Sequence, residues 1–509
     1  MIHIPVSIKL PFLWGKTVFR KNSWCEVNLI VGPNGAGKTL LAEQLAAQFE
    51  ASGRRVYYLR SERGAKDDVY EFLKANPQVR EKIEEILSGM FGKFIRFEEL
   101  ENGQLYPIVV NKSRNVEYGL KDGECHGLQE IILLLTTLYS ADCDCLILDE
   151  PELHLHPQLQ MSFMNEIRRM SRLYPTRMYM IITHSPFFID LRSPEDFTGV
   201  IVCHINRAPT HIDMLCEHDE HLLRRFLPRF NTYHKQFFFS DNQIFVEGYT
   251  DQQIFSMLLD YLPQNPNKFG TGIIDVGGKD ELGVFFIVCS LLGTQGRIIT
   301  DLDSLFRGKL REVLCHDERP AEWLSKQAER QQSFYERLFR GRVPEPVSLE
   351  LLIARLEQML AAVGNAVCGL YTEDAAIEQY AQRIRFFIDA NDAAEDLDTY
   401  KSVVLQGIER LGDTLAALLP RELAADIVLI RSLFALILAA AESAFVFFLP
   451  RGCIEHYYRR TDVQYMPIAA KDRLFHAELQ YIKELDGAGA ARLYGELLEV
   501  LDKASSRAG

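Results

Sequence analysis

The pattern of apolar and polar positions divides the chain into two α/β stretches separated by a long helical one. Glu26 to Val31 is a short apolar run that ends at a glycine. Thr39 to Ala51 has helical spacing, and Arg55 to Leu59 is a second extended run. The same reading predicts a helix over Gln129 to Leu138, a strand over Cys143 to Leu148 and a helix over Leu159 to Leu173. Met178 to Ile182 and Val200 to Ile205 read as strands, and Arg224 to Lys235 as a connector. Strands that alternate with helices predict a mostly parallel sheet.

A second α/β pattern starts at Gln243, with strands Ile244 to Val246, Gly272 to Val276 and Arg297 to Thr300. Helices Asp251 to Leu259 and Glu281 to Leu292 lie between them. From about Leu310 the period becomes helical, punctuated by Pro344 and Pro346. Ser348 is a plausible N-cap for a helix with Leu349, Leu352, Ile353, Leu356 and Leu360 on one face. That face is either internal core or a surface for contact with another subunit. Helical sequence runs to Ala444, and a further strand follows over Phe445 to Leu449. The expected fold class is α/β, with a first domain over 1–235 and a second over 241–310. An all-helical insert over 311–443 interrupts the second domain, and 444–509 completes it with C-terminal helices.

Composition narrows the class. The 509 residues correspond to about three domains at roughly 150 residues each. Hydrophobic content of 47% and charged content of 25% exclude a largely disordered chain, a collagen-like fibre and a disulfide mini-protein. A net charge of −14 argues against a non-specific nucleic-acid coat while leaving room for a local basic groove. Tyr371 to Val428 concentrates the acidity, with twelve acids against five bases. His221 to Ser240 contains Arg224, Arg225, Arg229 and Lys235 and no acid, which suits either a polyanion-facing surface or an ordinary solvated helix end.

The ten cysteines are scattered without a Cys-x-x-Cys pair, as in a reduced protein. Met1 to Trp14 lacks a signal-peptide pattern. The longest apolar run, Leu433 to Ala441, falls short of the ~20 residues of a membrane span. A cytoplasmic protein with no membrane partner is expected. Cys216, His218 and His221 carry metal-ligating side chains but lack a fourth partner, so they read as a polar surface loop.

Two constellations carry chemistry. Gly32-Pro33-Asn34-Gly35-Ala36-Gly37-Lys38-Thr39 fits G-x-x-x-x-G-K-[ST] between a strand and a helix. Asn34, Gly35 and Gly37 let backbone N–H groups wrap phosphates at a helix N-terminus. Lys38 is the phosphate cation, and Thr39 offers its hydroxyl to Mg²⁺. Cys145 to Glu152 is an apolar strand that ends in acids: Asp149 to hold Mg²⁺ and Glu150 to orient water. His184, after the strand Met178 to Ile182, is placed to meet the γ-phosphate.

This set, with Asp149-Glu150-Pro151, Leu155-His156-Pro157 and Thr183-His184, resembles an ABC-type ATPase head of the SMC-like group. The resemblance implies ATP held between two copies of the chain and hence a homodimer or higher oligomer. The family's Leu-Ser-Gly-Gly-Gln signature is absent. Gly127 and Gln129, within Asp122 to Glu130, are its degenerate counterpart. Arg60 and Arg63 either replace the glutamine loop or form surface salt bridges. No long heptad coiled coil separates Thr39 from Asp149, so cohesin-like or repair-type arms are not expected.

The second constellation is acidic. Glu247 ends the strand Ile244 to Val246, and Asp251 follows in the first helical turn. Asp301 and Asp303 follow the strand Arg297 to Thr300, where extended geometry would turn both to one side. Clustered carboxylates repel unless a cation neutralises them, and hard oxygen ligands favour Mg²⁺ or Mn²⁺. Gly277-Gly278-Lys279 meets a phosphate or caps a turn.

The Val246-Glu247-Gly248-x-x-Asp251 form and the later Asp301-x-Asp303 resemble the TOPRIM domain, most closely that of OLD-family nucleases, which place it after an ABC-type ATPase. The resemblance further implies Glu455 as a ligand of a second metal and Lys471 as a late catalytic lysine. It implies phosphodiester cleavage of DNA or tRNA and a role in phage defence of the Gabija, PARIS or retron-associated type, with a defence partner protein or retron RNA/DNA. The alternative is an ATP-dependent sensor or scaffold that holds a separate effector. Tyr457 and Tyr458 are either a topoisomerase-like nucleophile or a half-buried aromatic pair.

Overall fold

The computed structural model describes residues 2–63, 67–100, 105–111, 116–119, 126–239, 242–263, 271–389, 396–460 and 470–506. The chain divides into two compact units, residues 1–241 with 291–294, and residues 242–290 with 295–509.

The strands of the first unit are β1 (Ile2–Ile8), β2 (Phe19–Trp24), β3 (Val27–Val31), β4 (Val56–Leu59), β5 (Phe94–Glu99) and β6 (Leu105–Asn111). They continue with β7 (Val116–Gly119), β8 (Cys145–Asp149), β9 (Met178–Ile182), β10 (Val200–Val202) and β11 (Thr210–His211). Six of them form one sheet in the order β11-β10-β3-β9-β8-β4, parallel except for β11. Strands β3, β8 and β9 are buried at every residue. This explains their continuous apolar runs, since a parallel strand is covered on both faces.

Two pieces of the first unit escape the periodicity. One is the β1–β2 antiparallel ribbon, whose Ile4, Val6, Ile8, Phe19 and Trp24 share a core with Leu41, Leu45 and Phe49 of the helix Lys38–Ala51. Its first strand alternates as a half-buried strand should, with Pro5 on an exposed position where the register with β2 shifts. The other is the β5-β6-β7 antiparallel sheet with the helices Asp67–Ala75 and Pro77–Phe91.

The expected connector is more ordered than its sequence suggests. Helix Glu217–Phe226 starts at Cys216, whose sulfur accepts from the Asp219 N–H at 3.4 Å. Cys216 is therefore a helix cap. After this helix, Phe226, Phe230, Phe237 and Phe238 pack ring against ring, with the last two 4.2 Å apart, and leave Arg224 and Arg225 exposed.

The second unit holds four parallel strands, β12 (Gln243–Val246), β13 (Gly272–Asp275), β14 (Arg297–Thr300) and β15 (Val446–Phe448), in the order β13-β12-β14-β15. The helices from Lys309–His316 to Arg421–Glu442 occupy the chain between β14 and β15. The fold is therefore an α/β nucleotide-type sheet followed by a small parallel sheet split by helices.

Ser348 caps the helix Leu349–Cys368 by accepting from the Leu351 N–H at 3.2 Å. Leu349, Leu352, Ile353, Leu356 and Leu360 are all buried inside the bundle. That stripe is core, the first of the two readings its spacing left open. The helices Leu349–Cys368 and Arg421–Glu442, with mean hydropathy of 1.4 and 2.2, are long and apolar enough to cross a membrane. They pack against each other in the bundle and bury one face each, the usual pattern of core helices.

Candidate active sites

The first site grows from the C-terminal end of β3. Gly32 holds φ at +139°, and a Cβ there would lie 2.3 Å from the Cys203 carbonyl oxygen, so only glycine lets the chain turn away so close to β10. Gly35 and Gly37 also have positive φ, and helix Lys38–Ala51 starts directly after them. The Lys38 ammonium lies within the loop and donates to the carbonyls of Gly32 (3.0 Å) and Pro33 (2.9 Å). Burial lowers its pKa, while Cys203, Glu150, Asp149 and Glu152 pull the other way.

Register brings the acids to this loop. Strand β8 pairs with β9 so that Asp149 sits opposite Ile182. Asp149 Oδ2 accepts from the Tyr58 hydroxyl at 3.1 Å, while Oδ1 is buried without a hydrogen-bond partner. Burial raises the Asp149 pKa, and the hydroxyls of Tyr58 and Thr39 oppose the rise. A buried, half-satisfied carboxylate beside a P-loop threonine suits a hydrated divalent ion.

Glu150 has a positive φ of 47° and donates its N–H to the Ile182 carbonyl at 2.9 Å. Its Oε1 lies 3.5 Å from His184 Nε2. Burial, with Lys38 nearby, lowers the His184 pKa to about 4, so the imidazole is neutral at pH 7. A neutral imidazole offers one N–H donor and one acceptor nitrogen beside Glu150.

Two further side chains, Glu152 and Arg63, hold this site's backbone in ways that sequence spacing does not show. Glu152 accepts from the Thr183 hydroxyl at 2.9 Å and from the His184 N–H at 2.6 Å, and so fixes the strand end that presents His184. Arg63 is buried, pairs with Glu130 and donates to the Glu150 carbonyl at 3.1 Å. Only Arg60 behaves as a surface residue, paired with Glu43 at 2.6 Å and lying over the Tyr58 ring.

Gly127, in the first turn of the helix His126–Ser140, lies against the backbone at His154, where a Cβ would come within 2.8 Å of the carbonyl oxygen. Gln129 lies in the same helix. The rest of the signature counterpart, 122–125, lies outside the described residues.

The second site stands at the C-terminal ends of β12, β14 and β15, where parallel α/β sheets bind ligands. Glu247 Oε1 accepts from the Thr300 hydroxyl (2.6 Å), the Asp301 N–H (3.0 Å) and the Ser304 hydroxyl (3.2 Å). Ligand atoms of Glu247, Asp301 and Asp303 lie within 4.8 Å of one another.

Their convergence has a different cause from the expected one. The strand stops at Thr300, and the chain enters a 3₁₀ turn over Leu302–Leu305 with Asp301 at its cap. The turn brings Asp303 to the cluster, in place of two-residue alternation along a strand.

Burial raises the Asp301 pKa far above the carboxylate range, with Glu247, Asp251, Asp303 and Glu455 adding repulsion. Burial, then Glu247 and Glu455, push Asp251 to about 8. Glu247 is raised by burial and by Asp303. Asp303 Oδ1 is buried without a partner. Several oxygens that resist ionisation and one that lacks a donor are the chemistry a divalent cation satisfies.

Two lysines border the cluster. Lys279 Nζ lies 3.0 Å from Asp303 Oδ2, so Lys279 is an acid partner more than a turn cap. Lys471 Nζ lies 2.9 Å from Glu455 Oε1. Burial alone would raise Glu455, but Lys471 outweighs it and the net pKa falls.

Glu478, on the same helix Lys471–Lys483, was not singled out by the sequence. It is fully buried and accepts from the N–H groups of Arg459 (2.6 Å) and Arg460 (2.9 Å) and from the Tyr494 hydroxyl. It ties the lysine-bearing helix to the segment that follows Glu455. Tyr457 and Tyr458 are buried, and Tyr457 donates to Glu496 at 3.0 Å, so neither presents a nucleophile.

Family matches cover part of each site, the acids and His184 of the first and Glu247 to Asp303 of the second. Residues 65–189 match the AAA ATPase domain family, and residues 238–303 match the TOPRIM domain of the Overcoming lysogenization defect protein-like family. An ATPase domain thus precedes an OLD-like TOPRIM domain. An OLD nuclease of Thermus scotoductus is 28% identical over 163 residues, spanning 31% of this chain and 30% of that protein. The chain thus matches less than a third of that relative's length.

Among solved structures, the SMC head domain from Thermotoga maritima superposes with a TM-score of 0.28 at 15% identity, covering 42% of this chain and 100% of that one. Stu0660 of Streptococcus thermophilus gives 0.22 at 11%, covering 52% and 81%. Superpositions of this quality do not extend the assignment.

Proposed function

We propose that the protein is an ATP-dependent, divalent-metal-dependent nuclease, and the observation that carries this reading is the convergence of Glu247, Asp301 and Asp303 at the strand ends of the second sheet. Bound Mg²⁺ or Mn²⁺ would supply a nucleophilic hydroxide and charge neutralisation at the scissile phosphate. Glu247, Asp301 and Asp303 would hold the metal, and Asp251 and Glu455 would serve a second ion. The protonated Lys471 offers a positive charge to the phosphate when it leaves Glu455.

In the first unit Lys38 holds the ATP phosphates. Thr39 and Asp149 hold their Mg²⁺, and Glu150 with neutral His184 orients water. The substrate is DNA or tRNA. The biological role is phage defence of the Gabija, PARIS or retron-associated type, in the cytoplasm, as the resemblance of the Val246-to-Asp251 and Asp301-x-Asp303 motifs to OLD-family nucleases implies. The working form is a homodimer or higher oligomer, since one ABC-type head supplies half of each closed ATP site.

The deciding experiment incubates the purified chain with plasmid DNA and total tRNA while ATP and Mg²⁺ or Mn²⁺ are varied separately. Metal-dependent cleavage that disappears in Glu247→Ala is expected. One observation favours a second reading, in which the chain is a sensor or scaffold: Lys279 and Lys471 already neutralise Asp303 and Glu455. Wild-type cleavage by Glu247→Ala, or none by either protein, would favour that reading.

A further inference from the structure

Within the second unit, the large hydrophobic side chains exposed among the described residues are Tyr249, Leu351, Tyr371, Phe386, Leu418 and Val428. All but Tyr249 lie on the helical insert. Tyr249 stands on the α/β core, two residues after Glu247, and is 59% exposed. It begins the helix Tyr249–Leu259 directly after Gly248.

Its ring is set rather than loose. Phe475, itself 3% exposed, meets it edge to face at 6.0 Å and 66°. Phe475 belongs to the helix that starts with Lys471, whose ammonium lies 2.9 Å from Glu455. Tyr249 is thus two residues from Glu247 along the chain, and its ring rests on the helix that carries Lys471.

An exposed aromatic ring held from one side gains little for the fold and leaves surface for a planar partner. Such surfaces stack nucleobases, and every base has a π-face to offer. In a paired duplex those faces are covered by neighbouring base pairs, whereas an unpaired nucleotide presents one a single sugar away from its phosphate. We propose that Tyr249 is a stacking subsite for one unpaired nucleobase, so that the strand cleaved at the acid cluster is locally unpaired. This rests on the nuclease reading of the same site and adds the substrate class to it.

The test uses the full chain with 2-aminopurine-labelled oligonucleotides in Ca²⁺, as DNA and as RNA, each unpaired or fully base-paired. The wild type is expected to change the 2-aminopurine fluorescence of unpaired strands. Tyr249→Ala should bind those strands about tenfold more weakly, the order expected for one lost stacking contact. Tyr249→Phe and Tyr249→Trp should retain binding and show that the ring, not the hydroxyl, matters. Binding to fully paired duplex should be equal in all four proteins. The DNA and RNA arms identify which nucleic acid supplies the base.

Wild-type affinity of Tyr249→Ala for unpaired strands overturns the proposal and leaves the nuclease reading intact. Tyr249-dependent binding with no cleavage in Mn²⁺ has the opposite meaning: the subsite stands and the nuclease reading falls. A wild type that binds no oligonucleotide removes both.

Discussion

The two candidate sites solve the same problem, holding charge at the C-terminal edge of a parallel sheet, in opposite ways. In the first unit the anions Asp149, Glu150 and Glu152 surround a cation of their own, Lys38, and Arg63 supports their backbone. In the second unit acids outnumber cations, and Asp251 and Asp301 are pushed toward the protonated form. The first site sets cations of its own, Lys38 and Arg63, among its acids. The second is strained by self-repulsion that an added cation would relieve. The two candidate sites thus differ in how much positive charge their own side chains supply.

The sharpest way to break this comparison is to remove one charge from each site. Glu247→Ala should lower cleavage by about 10³-fold, the scale for losing a principal electrostatic group, while ATP hydrolysis stays near wild type. Lys38→Ala should do the reverse to nucleotide binding, measured by calorimetry or a fluorescent analogue. If Glu247→Ala impairs both activities equally, the two sites do not act as separate chemical centres.

A smaller loss is expected at Glu150. Glu150→Gln should slow hydrolysis by about 10²-fold or more and preserve ATP binding, because only the water-orienting charge is gone. Normal turnover would show that another group is the base. The same variant traps the ATP-bound form, so light scattering with ATP should report at least a dimer.

Stability provides the third comparison. The folded-state pKa of Asp251, about 8, lies well above its ordinary 3.8. The folded chain therefore retains a proton that the unfolded chain has lost, and stability falls as pH rises from about 4 to about 8. Added Mn²⁺ should replace that proton. Saturating metal is expected to raise Tm by roughly 4 °C or more at pH 8, from ~2–3 kcal/mol of linked binding, and by much less at pH 5. In chelator, Asp251→Asn should melt higher than wild type. Equal metal shifts at both pH values would mean that the acids are not the ligands.

His184 has the opposite sign. Its folded pKa of about 4 lies below the ordinary 6.5, so its contribution is present above pH 6.5 and is lost as pH falls toward 4.

The smallest expected effects separate buried from surface groups. Glu478→Gln should destabilise the second unit by about 1–3 kcal/mol, because it disturbs a buried acceptor of three donors. Arg60→Ala removes an exposed pair with Glu43 and should change Tm by less than 1 kcal/mol equivalent, about the ceiling for surface ion pairs. A larger loss at Arg60 than at Glu478 would reverse the burial argument.

Much of the first site is legible from sequence because its parts are contiguous. Gly32 to Thr39 is a single loop and helix start, and Asp149-Glu150 end a strand whose apolar run is unmistakable. Arg63 and Glu152 are less visible. Neither role follows from spacing; each depends on which carbonyl or N–H the fold brings close. The β1–β2 ribbon was hidden for a local reason, the proline within β1.

At the second site the acid types and their positions after short strands are readable along the chain, because strand ends in a parallel sheet fall together and hard carboxylates call for a cation. So is the helical period between Leu310 and Ala444. Only the tertiary structure decided that Asp303 reaches Glu247 through a 3₁₀ turn, that Lys279 and Lys471 neutralise particular acids, and that the Leu349–Leu360 stripe is core. The physical reason is range. Helical and strand periods and phosphate loops are set by neighbours within a few residues, whereas burial, pairing of distant charges and raised pKa values arise only when remote segments exclude water from one another.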